Sequence, residues 1–406
     1  MEELFITNSQ GKRSLFPVIV AMGEPVENIF AIPARDAIGT IDIDNAISFL
    51  EFNDDNKVKI NIIKKDFAEE VSGEFDFSFL PVYSNKEIAY GQTRWMIFQN
   101  IETKHNRTEF IINNLDDLLG KITVIDPQNS VFVVETLKPR GKSGREKGLL
   151  LADFSDNGFK IIKEISAGIK STYNEPWTTS DGKLFIYEHK NKQIRVYDKK
   201  GNPANHPIRN IFAKNRSKFR RVKEMVFHPE LPFAVIVELG DVPDVEDFRK
   251  QRNNGLISID QYDSLTDPMY DERDRHAIWL LRWDTPDSSK QLIPLMSLAG
   301  NLIPSIDEVK QCSDFQFSPD GKWLVFRDET EDRRNPVFIS IPVSDQNPFF
   351  FGKPLYLGKV LREGFLMEAK GTAWIHEPTS FVVTDGLVLY KWELGSIDRA
   401  RVINKD

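Results

Sequence analysis

The feature that most constrains this chain is a strand, a tight turn and an apolar strand, written most fully at residues 312–328 as CSDFQFSPDGKWLVFRD. Phe315 and Phe317 alternate with polar residues, Ser318-Pro319-Asp320-Gly321-Lys322 supplies turn chemistry, and Trp323 to Phe326 resumes as a strand. With Pro319 as anchor, similar sites fall at Pro33, Pro81, Pro127, Ser180, Pro229 and Pro378. Each anchor is expected to close an inner strand and open a turn into a second strand. The spacings are 48, 46, 53, 49, 90 and 59 residues. Five of the six lie near the ~40–50-residue period of radially repeated four-stranded units.

After each turn the same order recurs: an apolar second strand, a connection, a third strand, a polar turn and a fourth strand. The first unit has AIGTI, AISFLEF and VKINII, the third SVFVVE, GLLLADF and FKIIKEI, and the sixth WLVFRD, VFISIPV and KPLYLG. The fourth has LFIYEH, QIRVYD and a weak last strand near HPIRNIF. Sustained helical periodicity is almost absent. Four antiparallel strands repeated seven times predict an all-β, seven-bladed β-propeller, one domain over residues 1–406. The 90-residue interval predicts an insertion at about 241–275, between the second and third strands of the fifth blade. Within it, Asp244-Val-Glu-Asp247 reads as a capping box ahead of FRKQRNN and Gly255, a short helix with a stop. The rest is polar and acidic with one apolar stretch, LISI, and lacks the strands of an eighth blade. The N-terminal run Leu15 to Met22 is expected to pair into the last blade, closing the ring and hiding an edge.

Composition narrows the function classes. The 29 Phe against 7 Met suit strand packing, and a net charge of −8 argues against general nucleic-acid binding, which needs a broad basic face. A single cysteine, Cys312, excludes an intrachain disulfide framework and multi-Cys metal sites. No stretch approaches the ~20 apolar residues of a membrane span. With Met1 as initiator the protein is expected in the cytoplasm. A leader already removed would make it periplasmic. A monomer is the expected state.

SPDGKWLVF resembles the turn-and-strand pattern of WD-repeat-like and TolB-type propellers, with Pro319, Asp320 and Gly321 matching closely and Asp181-Gly182-Lys183 in part. Arg195-Val-Tyr-Asp198 and Arg282-Trp-Asp284 resemble the Trp-Asp ending of third strands in WD repeats. The Gly-His pair that opens many WD repeats is absent. The resemblance implies architecture and carries no chemistry.

In such a ring the loops leading into the inner strands share one face with the connections between second and third strands. The long excursions 138–147, Asp241 to Arg275 and 328–335 all fall there, as a binding surface on a rigid scaffold requires. Lys170, Arg220, Arg221 and Arg362 are candidates near the channel mouth, and Asp314 approaches it along the sixth inner strand. Tyr173 and Trp177 offer an aromatic wall for a peptide or small ligand, with core burial the preferred role for Trp177. The basic stretch 214–223 around Phe219 reads as a solvated loop or a dock for the acidic insertion before it reads as a phosphate patch. His228 and His376 sit beside turn anchors, where they are expected to cap turns. Cys312 reads as a small buried hydrophobe.

No catalytic residue, metal ligand or cofactor is assigned. There is no nucleophile elbow, P-loop or dinucleotide fingerprint, and no pair of histidines has i, i+4 spacing. The expected function is therefore non-enzymatic: a binding or scaffold module engaging a protein or peptide through the insertion-bearing face. One alternative is a propeller hydrolase, lactonase or lyase with a metal-assisted site in the channel. The other is a sugar- or small-ligand-binding protein.

Overall fold

The computed structural model describes residues 5–7, 13–15, 17–22, 25–32, 37–42, 47–52, 58–64, 82–84, 87–92, 95–100, 106–110, 118–126, 131–139, 145–153, 160–165, 176–188, 192–219, 221–239, 245–274, 276–295, 312–328, 337–344, 351–352, 354–357, 371–375, 379–395 and 397. Their strands form seven mostly antiparallel sheets that follow one another along the chain. From innermost to outermost strand, the first is Val26–Ile32, Ala37–Asp42, Ile47–Phe52 and Val58–Lys64. The third is Leu118–Asp126, Val131–Pro139, Arg145–Asp153 and Lys160–Glu164. The fifth is Arg221–Phe227, Phe233–Leu239, His276–Arg282 and Leu292–Pro294.

What holds the sheets together is apolar packing between consecutive faces, the expected solution for strands whose two faces are both apolar. Ile125, Val133 and Leu151 of the third sheet pack with Leu184 and Ile186 of the fourth. Phe185 and Val196 pack with Met225 and Ile236 of the fifth. Phe233 and Val235 pack with Leu324 and Phe326 of the sixth. Trp323 and Phe338 pack with Phe381 and Trp392 of the seventh. The seventh also packs on the first, through Ala373, Ile375 and Val382 against Val26, Ile29 and Ile38.

The turn after the sixth inner strand shows why its sequence is what it is. Ser318 Oγ accepts from the Trp323 N–H at 2.9 Å and donates to Asp320 Oδ1 at 2.6 Å. Asp320 Oδ1 also accepts from the Lys322 N–H at 3.1 Å, while Gly321 takes φ +66°. These turns interlock from sheet to sheet. Ser180 Oγ donates to the Pro229 carbonyl at 2.6 Å, and Thr379 Oγ1 donates to Asp320 Oδ2 at 3.2 Å. His228 Nδ1 accepts from the backbone N–H groups of Glu230 and Leu231, at 3.0 and 2.7 Å. That fixes the proton on Nε2, which donates to the Gly321 carbonyl at 2.8 Å. His228 therefore caps a turn, as expected. His376 lies outside the described residues.

Several expectations are corrected in detail. In the second sheet the inner strand is Val82–Ser84, which follows Pro81 instead of ending at it, and Ser84 lies opposite Glu87 of the second strand. The fourth sheet has three strands among the described residues, and HPIRNIF is a helix, α1 (Pro207–Lys214). His206 caps it by accepting from the Ile208 N–H, Pro207 starts it, and Ile208, Ile211 and Phe212 fall on one buried face. At the two ends of the stretch 138–147 the second and third strands stay paired, with Lys138 opposite Glu146 and Pro139 opposite Arg145; 140–144 lie outside the described residues. The N-terminal segment serves two sheets. Val18–Ala21 pairs with the last strand of the seventh, Val388–Glu393, but Leu15 pairs with Leu357 in the sixth. Among the described residues no helix is long and apolar enough to cross a membrane.

Candidate functional site

Leu239 pairs with both Arg221 and His276, so the insertion leaves the fifth sheet at the end where its inner strand begins. At that end the inner strands of the fifth and sixth sheets are irregular. A bulge between Val222 and Glu224 makes Lys223 the extra residue, and a shift between Ser313 and Gln316 frees Asp314 and Phe315. Bulges release backbone groups from the ladder, and those groups need partners. Here each strand supplies them for its neighbour. Lys223 Nζ donates to the Cys312 carbonyl at 3.1 Å, and Glu224 Oε1 accepts from the Phe315 N–H at 3.0 Å. Gln316 Nε2 donates to Thr372 Oγ1 at 2.7 Å, which ties the sixth inner strand to Gly371–Ile375 of the seventh.

Asp314 sits in this bulge with φ +55° and an exposed side chain, facing Arg327 Nη1 at 3.7 Å. The same inner-strand irregularity recurs between Val26 and Asn28 and between Leu119 and Ile122. Four inner strands therefore carry, near their starts, a repeated break in the ladder that sequence alternation does not reveal.

A second repeated feature lies one strand out. Four second strands carry an acid at their fifth or sixth residue, Glu135, Glu188, Glu238 and Asp328. Glu135, Glu188 and Glu238 are buried, which needs donors close by. Glu188 takes Gln193 Nε2 at 2.6 Å and pairs with Arg195, and Glu238 takes Trp279 Nε1 at 2.9 Å. The donors come from the neighbouring third strand, so these carboxylates tie the second strand to the third. Burial, followed by the charge of Glu238, pushes the Tyr187 hydroxyl well above its ordinary pKa, so it stays protonated.

The insertion itself is a pair of helices, α2 (Glu246–Asn253) and α3 (Ile259–Asp274). Of the expected capping box at 244–247, Asp244 lies outside the described residues; the cap position of α2 is Val245, buried and making no side-chain cap bond. Its stop is as expected. The Gly255 N–H reaches Arg252 O at 3.0 Å and the Leu256 N–H reaches Gln251 O at 2.9 Å, with Gly255 at φ +70°. The capping box belongs to α3, where Gln261 Oε1 accepts from the Ser258 N–H and Ser258 Oγ from the Gln261 N–H. The sequence Ser258-Ile-Asp-Gln261 is the signal that would have found this helix. Arg252 lies 4.6 Å from the centre of the Tyr262 ring, joining α2 to α3.

Of the candidates from sequence, Arg221 opens the fifth inner strand, half-buried, and Asp314 lies on the neighbouring sixth inner strand. Trp177 is buried in the core between the fourth and fifth sheets and offers no aromatic wall. Phe219, in the basic stretch, is also core, stacked on Phe212 at 4.3 Å. Cys312 is fully buried. Lys170, Tyr173, Arg220 and Arg362 lie outside the described residues. Among the described residues, no group of three or more His, Cys, Asp and Glu is placed to hold a metal ion.

No family model and no curated protein matches the sequence. Solved structures do match. The β-propeller domain of Myceliophteria thermophila Cps50 (Swd1) superposes with a TM-score of 0.52 at 9% identity, covering 93% of this chain and 98% of that one. A chain of the mitotic checkpoint complex gives 0.50 at 10% identity, covering 96% and 93%. An oligogalacturonate lyase in complex with manganese gives 0.51 at 9% identity, covering 95% of both. At such identities the likeness speaks for the fold alone. The chain is a β-propeller, similar in architecture to the WD-repeat-like and TolB-type propellers.

Proposed function

We propose that this chain is a non-enzymatic binding or scaffold propeller of seven blades, closed by Val18–Ala21, that engages a protein or peptide through its insertion-bearing face. The seven successive sheets and the packing of the seventh on the first support the closed ring. One observation carries the binding role. The insertion is capped, stopped and clamped as a defined helical pair, yet Leu256, Ile259 and Leu265 are 71%, 66% and 46% exposed. These are half of the six large apolar side chains exposed among the described residues. A helical pair of this kind orders its backbone and leaves apolar groups in water, which favours covering them with a partner. Exposed Asp260, Asp263 and Asp267 follow one another at helical spacing on α3 and give that surface a polar, acidic rim.

The test is a quantitative crosslinking pull-down comparing the intact chain with a variant lacking 241–275 and with L256D/I259D/L265D. Selective loss of the same partner from both variants is expected. A partner set unchanged in both would overturn the proposal.

A further inference from the structure

The two helices of the insertion differ in how they use charge. On α2 each cation is engaged. Arg249 Nη1 pairs with Glu246 Oε2 at 3.2 Å, Lys250 Nζ with Asp247 Oδ1 at 3.8 Å, and Arg252 lies over the Tyr262 ring. On α3 the carboxylates of Asp260, Asp263 and Asp267 are exposed, and among the described residues no ion pair engages them. Spaced three and four residues apart, they share one side of the helix over about 10 Å. Asp260 stands in the first turn, where the helix dipole favours an acid. Asp263 and Asp267 lie beyond it, and like charges at these spacings repel one another and weaken the helix. The chain's own basic stretch does not neutralise them: Lys214, Arg216 and Lys218 are exposed, and among the described residues no ion pair joins them to α3. Ile259, exposed one turn before Asp263, and Leu256, exposed in the connection from α2, add apolar surface at one end of the stripe.

We propose that the segment docking on α3 is cationic: a peptide whose apolar residues cover Leu256 and Ile259 while Lys or Arg side chains, about one helical turn apart, face the three carboxylates. Such a partner deepens the binding role proposed for the insertion and rests on it. Charge complementarity selects this occupant. Nucleic acid and an anionic lipid surface carry the same sign as the stripe and are repelled. A single calcium ion needs six to eight oxygens around one centre, which carboxylates strung along a helix do not offer. Among the described residues, no group of three or more His, Cys, Asp and Glu is placed to hold a metal ion. A cationic peptide relieves the repulsion along α3 and takes the apolar side chains out of water in the same step.

Fluorescence anisotropy on the full chain tests this with two labelled synthetic peptides of equal length, one an amphipathic Leu/Lys sequence and the other with Glu for every Lys. The Leu/Lys probe should bind and the Leu/Glu probe should not. Affinity should fall as salt rises from about 50 to about 300 mM, because the carboxylates are exposed and screened. An exposed ion pair is worth up to about fivefold in affinity, so D260N/D263N/D267N should weaken binding about tenfold. E230Q, which neutralises an exposed carboxylate away from the insertion, should leave it unchanged. Equal binding of the two probes would overturn the proposal, as would unweakened Leu/Lys binding by the triple variant. So would salt-sensitive self-association that the triple variant loses, which would make a second copy, through Lys214, Arg216 and Lys218, the occupant. A crosslinked partner lost from L256D/I259D/L265D but kept by D260N/D263N/D267N would leave the insertion's binding role standing and overturn only its cationic partner.

Discussion

Replacing Gly321 by alanine tests how the turns of neighbouring sheets are joined. Gly321 has φ +66°, and a Cβ built there would lie 2.6 Å from His228 Cε1 and 2.8 Å from Nε2. Two costs follow. The left-handed conformation costs a non-glycine residue roughly 1–2 kcal/mol. The clash must push the buried His228 ring away, which disturbs its bond to the Gly321 carbonyl and the two backbone N–H groups it accepts. Hydrogen bonds of this kind contribute about 0.5–1.5 kcal/mol each, so the steric part adds about 2 kcal/mol if two are lost. G321A should therefore lose roughly 3–4 kcal/mol. Gly255 is the internal control: φ is +70° and nothing lies within 4 Å of a built Cβ, so G255A should lose only about 1–2 kcal/mol. For 406 residues an unfolding entropy of ~2.1 cal/mol/K per residue makes each kcal/mol worth about 1 °C, so both differences are measurable by calorimetry. In an H228A background only the Pro229 Cγ contact at 3.1 Å is left, so most of the steric part should disappear and the cost of G321A should fall close to that of G255A. Equal losses for G321A and G255A in the wild-type background would refute the interlock.

Two further outcomes can be checked on the same protein. Burial holds the imidazoles of both His206 and His228 below the ordinary 6.5, to about 4 for His206, where the Lys183 charge adds to it. The unfolded chain then binds more protons, so their contribution is complete above about pH 6.5 and is lost as pH falls towards the folded values. The urea midpoint should decline between about pH 6.5 and 4, and a level or rising midpoint would refute the assignment. Glu238→Ala should cost about 1–3 kcal/mol by leaving the Trp279 N–H without its 2.9 Å acceptor, and adding Trp279→Phe should recover part of that loss. Additive losses in the denaturation cycle would refute the bond's role.

Much of the sheet order was legible because it rests on local chemistry. Ser318, Asp320 and Gly321 make their turn from their own side chains and backbone, so the motif survives outside its context. The departures occur where a local preference had competition. HPIRNIF contains apolar residues that suit a strand, but Pro207 after a capping His206, with Ile208, Ile211 and Phe212 one turn apart, is a helical pattern that was readable and was outweighed by the repeat. Ser258-Ile-Asp-Gln261 was readable in the same way. The bulges at Lys223 and Asp314 were not, because one extra residue at a strand's start leaves the alternation of the remaining residues intact. Arg221 and Asp314 could be assigned to the starts of two inner strands from sequence. Their link through Lys223–Cys312 and Glu224–Phe315 required the neighbouring sheet.

The two ends of the sheets differ in how their polar groups are used, and this bears on where binding belongs. At the turn end, Ser180, His228, Asp320 and Thr379 are bonded to the next sheet, and burial of the Asp320 carboxyl is outweighed by its donors Ser318 and Lys322, which hold its pKa low. Changing those residues for a ligand would weaken the joints between sheets. At the other end the structural bonds are made by the bulged strand starts and by the acids Glu188 and Glu238 just beneath them. Leu256, Ile259 and Leu265 of the insertion are exposed and make none of these bonds, so they can be altered without breaking a joint between sheets. Joints between sheets are thus made at both ends, and the exposed Leu256, Ile259 and Leu265 belong to neither set, which supports the proposed binding role of the insertion.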